Sequence, residues 1–271
     1  MNWKTFGLLS AAVGAGTLVY GCLVESKHLV IERKKLFLKK WPKKLSGYKI
    51  ALIADLHLKD KYTLEVAHRA AMSIVEEDPD MAVIAGDFVG YWKPKSEELV
   101  KTALHPLSVL DKPVIGVPGN HEYDYGQYQL DKICEDLNIK LLKNECWNHD
   151  GINWIGIDSF NANRAKPHAA IEQIKNRQPA IVVWHEPDLV DQLPIEASLM
   201  LSGHSHGGQY LFPFGIAPMT PKNGQKYVRG FFPNTKTPLY VTRGVGTTGP
   251  PSRFLCPPEV SILELYPMDK K

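Results

Sequence analysis

Seven side chains in this sequence are of types that bind metal ions: Asp55, His57, Asp87, Asn120, His185, His204 and His206. Each lies at the end of a short apolar run. Asp55-Leu56-His57 follows KIALIA, Asp87 ends MAVIAGD, and Asn120 and His121 lie near the end of PVIGVPGNHE. His185 follows AIVVW, and His204 and His206 belong to SLMLSGHSHGG. Taken singly, each has an ordinary explanation. A lone His at a strand end is more often a satisfied surface or core residue, the class to which His68, His105, His149 and His168 are assigned. A lone Asp55 reads as a turn former. The joint placement is what points to chemistry. Imidazole with carboxylate suits Zn, Mn or Fe. One ion rarely takes more than six ligands, so this set suits two ions better than one. Gly86 and Gly119, each just before a candidate ligand, allow backbone geometries closed to other residues.

The elements that must position these groups alternate. Strands are expected at 49–54, 81–87, 113–122, 139–143, 152–157, 180–187 and 198–208. Helices are expected at 63–77, 96–109 and 126–137. Apolar strands alternating with helices argue for an α/β fold. In such sheets ligands bind outside the carboxyl ends of the strands. After Gly207 the chain is richer in Pro, Gly and aromatics. Strands are expected there at 209–213, 225–232, 238–243 and 259–265, forming a second, more antiparallel sheet.

The 271 residues are enough for a large core, so no disulfide scaffold is needed. A net charge of +3 gives no reason to expect nucleic-acid binding. Cys22, Cys134, Cys146 and Cys256 show no CxxC spacing and are expected to be free thiols. Residues 6–24, FGLLSAAVGAGTLVYGCLV, carry no charge. That length approaches the roughly 20 residues a helix needs to span a bilayer, so residues 1–26 are expected to be a single membrane anchor or a signal segment. The lysines and arginines that follow favour the cytoplasmic face for the rest of the chain. Residues 27–47 are expected to be a basic juxtamembrane segment that includes an edge strand whose lysines face water.

Five blocks in order, D-L-H (55–57), G-D (86–87), G-N-H-E (119–122), His185 and G-H-S-H (203–206), resemble the calcineurin-like metallophosphoesterase signature. The tail and the N-terminal YGCLVESKHLVIERKKL resemble a small bacterial, membrane-associated phosphodiesterase branch of that family. The resemblance implies a four-layer αββα sandwich over residues 48–268. Two mixed β-sheets would pack face to face, flanked by helices, with the active site at the C-terminal ends of the strands. It also implies two divalent ions, with Mn, Fe, Zn and Co all admitted. One would be held by Asp55, His57, Asp87 and His206, the other by Asp87, Asn120, His185 and His204, with Asp87 shared. A hydroxide bridging the ions would attack phosphorus in line, and His121 would be a catalytic residue that does not ligate metal.

Phosphoprotein phosphatases of the family carry G-D-x-x-D-R-G. Here the run is Gly86-Asp87-Phe88-Val89-Gly90-Tyr91, so the second Asp and the Arg are absent. That favours a phosphodiesterase and leaves the partner of His121 unidentified. Arg243 is a candidate for holding a phosphate, with a structural salt bridge as the equal alternative. A lipid-linked diphosphate such as UDP-2,3-diacylglucosamine is the alternative substrate, and a metal-free binding scaffold is a minor one. A monomer is expected.

Overall fold

The computed structural model describes residues 3–124 and 130–268. In chain order its strands and α-helices are α1 (Trp3–Leu23), β1 (Val30–Leu38), β2 (Tyr48–Ile53), α2 (Lys61–Glu77), β3 (Met81–Ala85), α3 (Ser96–Ser108), β4 (Val114–Val117), α4 (Leu130–Asp136), β5 (Ile139–Leu141), β6 (Glu145–His149), β7 (Ile152–Ile157), α5 (Pro167–Ile171), β8 (Ala180–Trp184), β9 (Leu199–Ser202), β10 (Gly230–Phe232), β11 (Leu239–Val241) and β12 (Glu259–Pro267).

Two six-stranded sheets result. The first has the order β1-β12-β2-β3-β4-β5 and the second β10-β11-β9-β8-β7-β6. In the first, β2 to β5 run parallel, and β12 enters antiparallel to β2. The expected α/β sandwich of two mixed sheets flanked by helices is what forms. The second sheet differs from expectation. Its central strands β11, β9, β8 and β7 are parallel, and only the edge pairs β10–β11 and β6–β7 are antiparallel. Parallel strands covered on both faces read as continuous apolar runs, and β3, β7 and β9 are buried along their whole lengths.

Three apolar layers follow from this arrangement. Leu52, Val83 and Val117 of the first sheet meet Trp154, Val183 and Leu201 of the second. On the outer face of the first sheet, Ala51 and Ile84 lie in one cluster with Val66, Ala70 and Ile74 of α2 and Val100 and Leu104 of α3. On the outer face of the second, Ile155, Val182 and Met200 pack with Ala170 of α5 and Leu189. Burying one such Leu or Val side chain contributes about 2 kcal/mol. Helix α2 starts at a capping box: Asp60 Oδ1 accepts from the Thr63 amide at 2.9 Å, and Thr63 Oγ1 accepts from the Asp60 amide at 3.2 Å.

Several local expectations change. Residues 209–213 form no strand; short 3-10 turns flank them, and Tyr210 makes one isolated bridge to Phe254. β6 and the one-turn α5 were not anticipated. Of the helix expected at 126–137, residues 130–136 are helical, and 126–129 lie outside the described residues. β1 occupies the edge of the first sheet, beside β12.

The membrane expectation is overturned. Among the described residues no helix is long and apolar enough to cross a membrane. The placement by a single membrane span, with its cytoplasmic-face preference, falls with it. The C-terminal end of α1 instead meets the body of the protein. The Arg253 amide donates to the Gly21 carbonyl at 3.3 Å, the rings of Tyr20 and Phe254 meet edge to face, and buried Glu25 accepts from the Cys256 amide.

Candidate active site

Five strands deliver the candidate ligands to one place. Asp55 follows β2, Asp87 follows β3, Asn120 follows β4, His185 follows β8, and His204 follows β9. All leave from carboxyl ends, three in the first sheet and two in the second, so the groups converge in the cleft between the sheets. Asp55, His57, Asp87, His185, His204 and His206 are all buried.

Their donor atoms form overlapping sets. In Asp55, His57 and His206 one ligand atom from each lies within 4.8 Å of the others, as in Asp87, His185 and His204. Asp87 joins the two. Its Oδ2 is 3.1 Å from His185 Nε2 and 3.5 Å from His57 Nε2, while its Oδ1 accepts from the His121 amide at 2.9 Å. One carboxylate oxygen therefore faces both groups while the other is tied to the backbone. His57, Asp87 and His121 also lie within that distance of one another.

The backbone at these positions is unusual. Asp55, His57, Asp87, His204 and His206 all have positive φ, between 44° and 69°. Side chains other than Gly seldom adopt this region, and such strain clusters at functional sites. Gly86 has a positive φ of 92°, as anticipated, whereas Gly119 has an ordinary φ and serves close approach alone. A Cβ on Gly86 would sit 2.5 Å from His185 Nδ1, and one on Gly119 would sit 2.2 Å from Asp87 Oδ1.

Backbone carbonyls set the tautomers. His185 Nδ1 is 2.6 Å from the Ala85 carbonyl, so it donates there and turns Nε2 toward Asp87 Oδ2. His204 Nε2 is 2.8 Å from the Lys222 carbonyl, leaving Nδ1 free. This pattern fixes and orients metal-binding imidazoles. His121 Nδ1 lies 2.7 Å from the carbonyl of Gly90 and 3.7 Å from Asp124 Oδ2. Glu122 was quoted in the sequence motif without a role. It is buried, and its carboxylate accepts from the amides of Gly119 at 2.6 Å, Asp87 at 3.0 Å and Val89 at 3.2 Å. It thus joins the turns after β3 and β4.

The electrostatics suit cations. Burial pushes the Asp55 carboxyl up to about 7 and His57 down to about 3. Burial also opposes the charged forms of Asp87 and His185, but their mutual attraction wins. Asp87 is held well below the usual carboxylate range and His185 well above the usual imidazole one. Asn120 Oδ1 and His206 Nδ1 are buried with no hydrogen-bond partner. Such an atom costs about 1–3 kcal/mol; ligation would satisfy Asn120 Oδ1, whereas the His206 nitrogen that faces the cluster is Nε2. The His57 and His206 Nε2 atoms face each other at 3.0 Å. Converging nitrogens, clustered carboxylates and orphaned donors fit divalent ions, which invert the local penalties.

Residues 48–208 match the model of the calcineurin-like phosphoesterase family. The chain belongs to this family. Among curated relatives in it, a metallophosphoesterase of Helicobacter pylori is 32% identical over 250 residues, covering 89% of this chain and 65% of that protein. This chain therefore spans less than two thirds of that relative's length. Phosphodiesterase YaeI of Escherichia coli is 30% identical over 226 residues, covering 80% of this chain and 82% of its own length. UDP-2,3-diacylglucosamine pyrophosphatase LpxG of Chlamydia muridarum is 26% identical over 318 residues, covering 94% and 95%. The matched span of the calcineurin-like phosphoesterase family model contains every candidate ligand.

A cavity of about 430 Å³ opens over these groups, lined by Asp87, Asn120, His121, His204 and His206 on one side and by Tyr210, Met219 and Pro250 on the other. Arg243 is not among its lining residues. Its Nε pairs with Glu259 and its Nη2 lies 3.5 Å from Glu32, the salt-bridge alternative.

Proposed function

We propose that this chain is a dinuclear metal-dependent phosphodiesterase. Asp55, His57, Asp87 and His206 would hold one divalent ion, and Asp87, Asn120, His185 and His204 the other. The observation that carries this reading is the position of Asp87 Oδ2 between His57 and His185. When bound, the ions supply Lewis acidity, a water acidified toward neutral pH and neutralisation of phosphoryl charge.

The chain's own residues do the rest. With Nδ1 donating to Gly90, His121 keeps Nε2 for substrate, where it can stabilise phosphoryl charge or give a proton to the leaving alkoxide. Glu122 holds the Asp87 and Gly119 amides, which keeps the shared carboxylate and Asn120 in register. A diester is favoured over a phosphoprotein because Gly90 replaces the Asp that phosphoprotein phosphatases of the family place there. The printed name of the Escherichia coli relative supports the same class. The test is hydrolysis of bis(4-nitrophenyl) phosphate against 4-nitrophenyl phosphate. The diester should be turned over at least tenfold faster per active site, and a preference for the monoester would sink the diesterase reading.

One observation favours a second reading, cleavage of a lipid-linked diphosphate. Met219 at the cavity rim is 72% exposed, and the segment leading to it carries exposed Phe212, Phe214 and Ile216. An apolar substituent on the substrate could cover them. The name of the Chlamydia relative points the same way. Comparing a nucleotide-linked diacyl sugar with its deacylated form separates the two readings: only the second predicts a strong preference for the acylated compound.

A further inference from the structure

Arg253 is fully buried, and among the described residues no carboxylate lies within 4 Å of its guanidinium. A buried charge without a partner is costly. This one is instead solvated by backbone carbonyls. Nε donates to Gly246 at 3.0 Å. Nη1 donates to Cys256 at 3.1 Å and to His206 at 3.4 Å. Nη2 donates to Arg243 at 3.0 Å, to Gly244 at 3.2 Å and also to Gly246. The planar fork thus gathers five carbonyls from three stretches of chain, a pattern an ammonium with three donors cannot reproduce.

Those stretches abut one half of the candidate site. Within the 243–246 loop, Val245 N donates to the Ala54 carbonyl at 3.0 Å and Gly246 N to the Asp55 carbonyl at 2.6 Å. The loop is therefore bonded to the backbone that presents Asp55. On the other side Arg253 reaches the carbonyl of His206 itself, and the Cys256 thiol donates to the His206 and Gly207 carbonyls at 3.4 Å each. Asp55 and His206 both sit at positive φ, a conformation that persists only when its surroundings over-determine it. The side chains of the second group have other anchors, His185 on Ala85, His204 on Lys222, and Asp87 on Glu122 and His121, and the groups touch where the His204 amide donates to the Asp55 carboxylate at 3.0 Å.

We infer that Arg253 is a positioning residue for the Asp55–His57–His206 group and not for the Asp87–His185–His204 group. It acts by locking the backbones of Asp55 and His206 from behind. This rests on the two-ion reading proposed above. It predicts that losing the fork weakens one ion and spares the other.

The test is titration of metal-free protein with Mn²⁺, followed by calorimetry and by electron paramagnetic resonance. The wild type should take up two ions. Binding of fewer than two would overturn the two-ion reading and, with it, this inference. Arg253→Lys, which keeps the charge, should lose at least tenfold in affinity at one site and stay within about twofold at the other. Equal weakening of both sites, or two unchanged sites with only a lower melting temperature, would overturn the positioning role. A measurement on the wild type keeps the inference testable even if the variant does not fold. Because coupling is reciprocal, Mn²⁺ should slow hydrogen exchange at the amides of Val245 and Gly246. Exchange there that is the same with and without Mn²⁺ contradicts the inference.

Discussion

His121 Nδ1 lies 2.7 Å from the backbone carbonyl of Gly90. Gly90 stands where phosphoprotein phosphatases of the family carry the Asp that orients this histidine, so a carbonyl now does the orienting. A carbonyl fixes the tautomer, and the carboxylate beside the ring, exposed Asp124, stands farther off at 3.7 Å. His121→Gln should therefore lower turnover of a chromogenic diester by roughly 100-fold or more, with two Mn²⁺ ions still bound. Loss of an ion in this variant would make His121 a ligand and contradict the assignment.

Glu122 is bound by three amides from two turns. Glu122→Gln replaces one accepting oxygen with an amide nitrogen that cannot accept. Hydrogen bonds to charged groups are worth about 1.5–3 kcal/mol each. Urea denaturation should show a loss of about that size. A variant as stable as the wild type would mean that the turns after β3 and β4 hold without this carboxylate.

Arg243 pairs with Glu259, which is buried and also accepts from Tyr240 Oη at 3.0 Å. Arg243→Ala leaves that carboxylate without its cation, a loss of about 3–5 kcal/mol for a buried pair. The expected outcome is a lower denaturation midpoint with KM for the diester within about twofold of wild type. A large rise in KM at unchanged stability would restore the phosphate-holding role.

Burial pushes the Cys134 thiol well above the ordinary thiol range, and Cys146 moves the same way. A raised thiol pKa leaves little reactive thiolate at pH 8. Cys134 and Cys256 are buried, whereas Cys22 and Cys146 are partly exposed. Native alkylation at pH 8, mapped by mass spectrometry, should leave Cys134 and Cys256 unmodified. Rapid labelling of Cys134 would show that the layer between α4 and the first sheet opens.

What the sequence made legible follows from what residue types reveal. Asp, Asn and His at the ends of apolar runs stand out because those runs must be buried and the polar groups must not be buried idly. The α/β class followed from strand–helix alternation, and the αββα sandwich from the family resemblance. Less was visible where backbone atoms act. Every residue carries a carbonyl, so nothing in the sequence marks Gly90, Ala85 or Lys222 as the partners of His121, His185 and His204. The positive φ of Asp55, His57, Asp87, His204 and His206 likewise leaves no trace in residue type. Arg253 was passed over because its partners are carbonyls with no charged residue to signal them. The direction of β11 was misjudged because the segment before it holds turns in place of a crossover helix. The N-terminal run was read from its lack of charge alone, and residue type does not mark the contacts that Tyr20 and Glu25 make with Phe254 and Cys256.

The central claim is that two ions share Asp87. It is tested most directly by counting metal, by plasma mass spectrometry, in wild type and Asp87→Ala after loading with Mn²⁺ and removing the excess. Two ions per chain in the wild type, and fewer than one in Asp87→Ala with the fold intact by circular dichroism, is the predicted result. Two tightly held ions in the variant, or at most one in the wild type, would contradict a dinuclear centre bridged by Asp87.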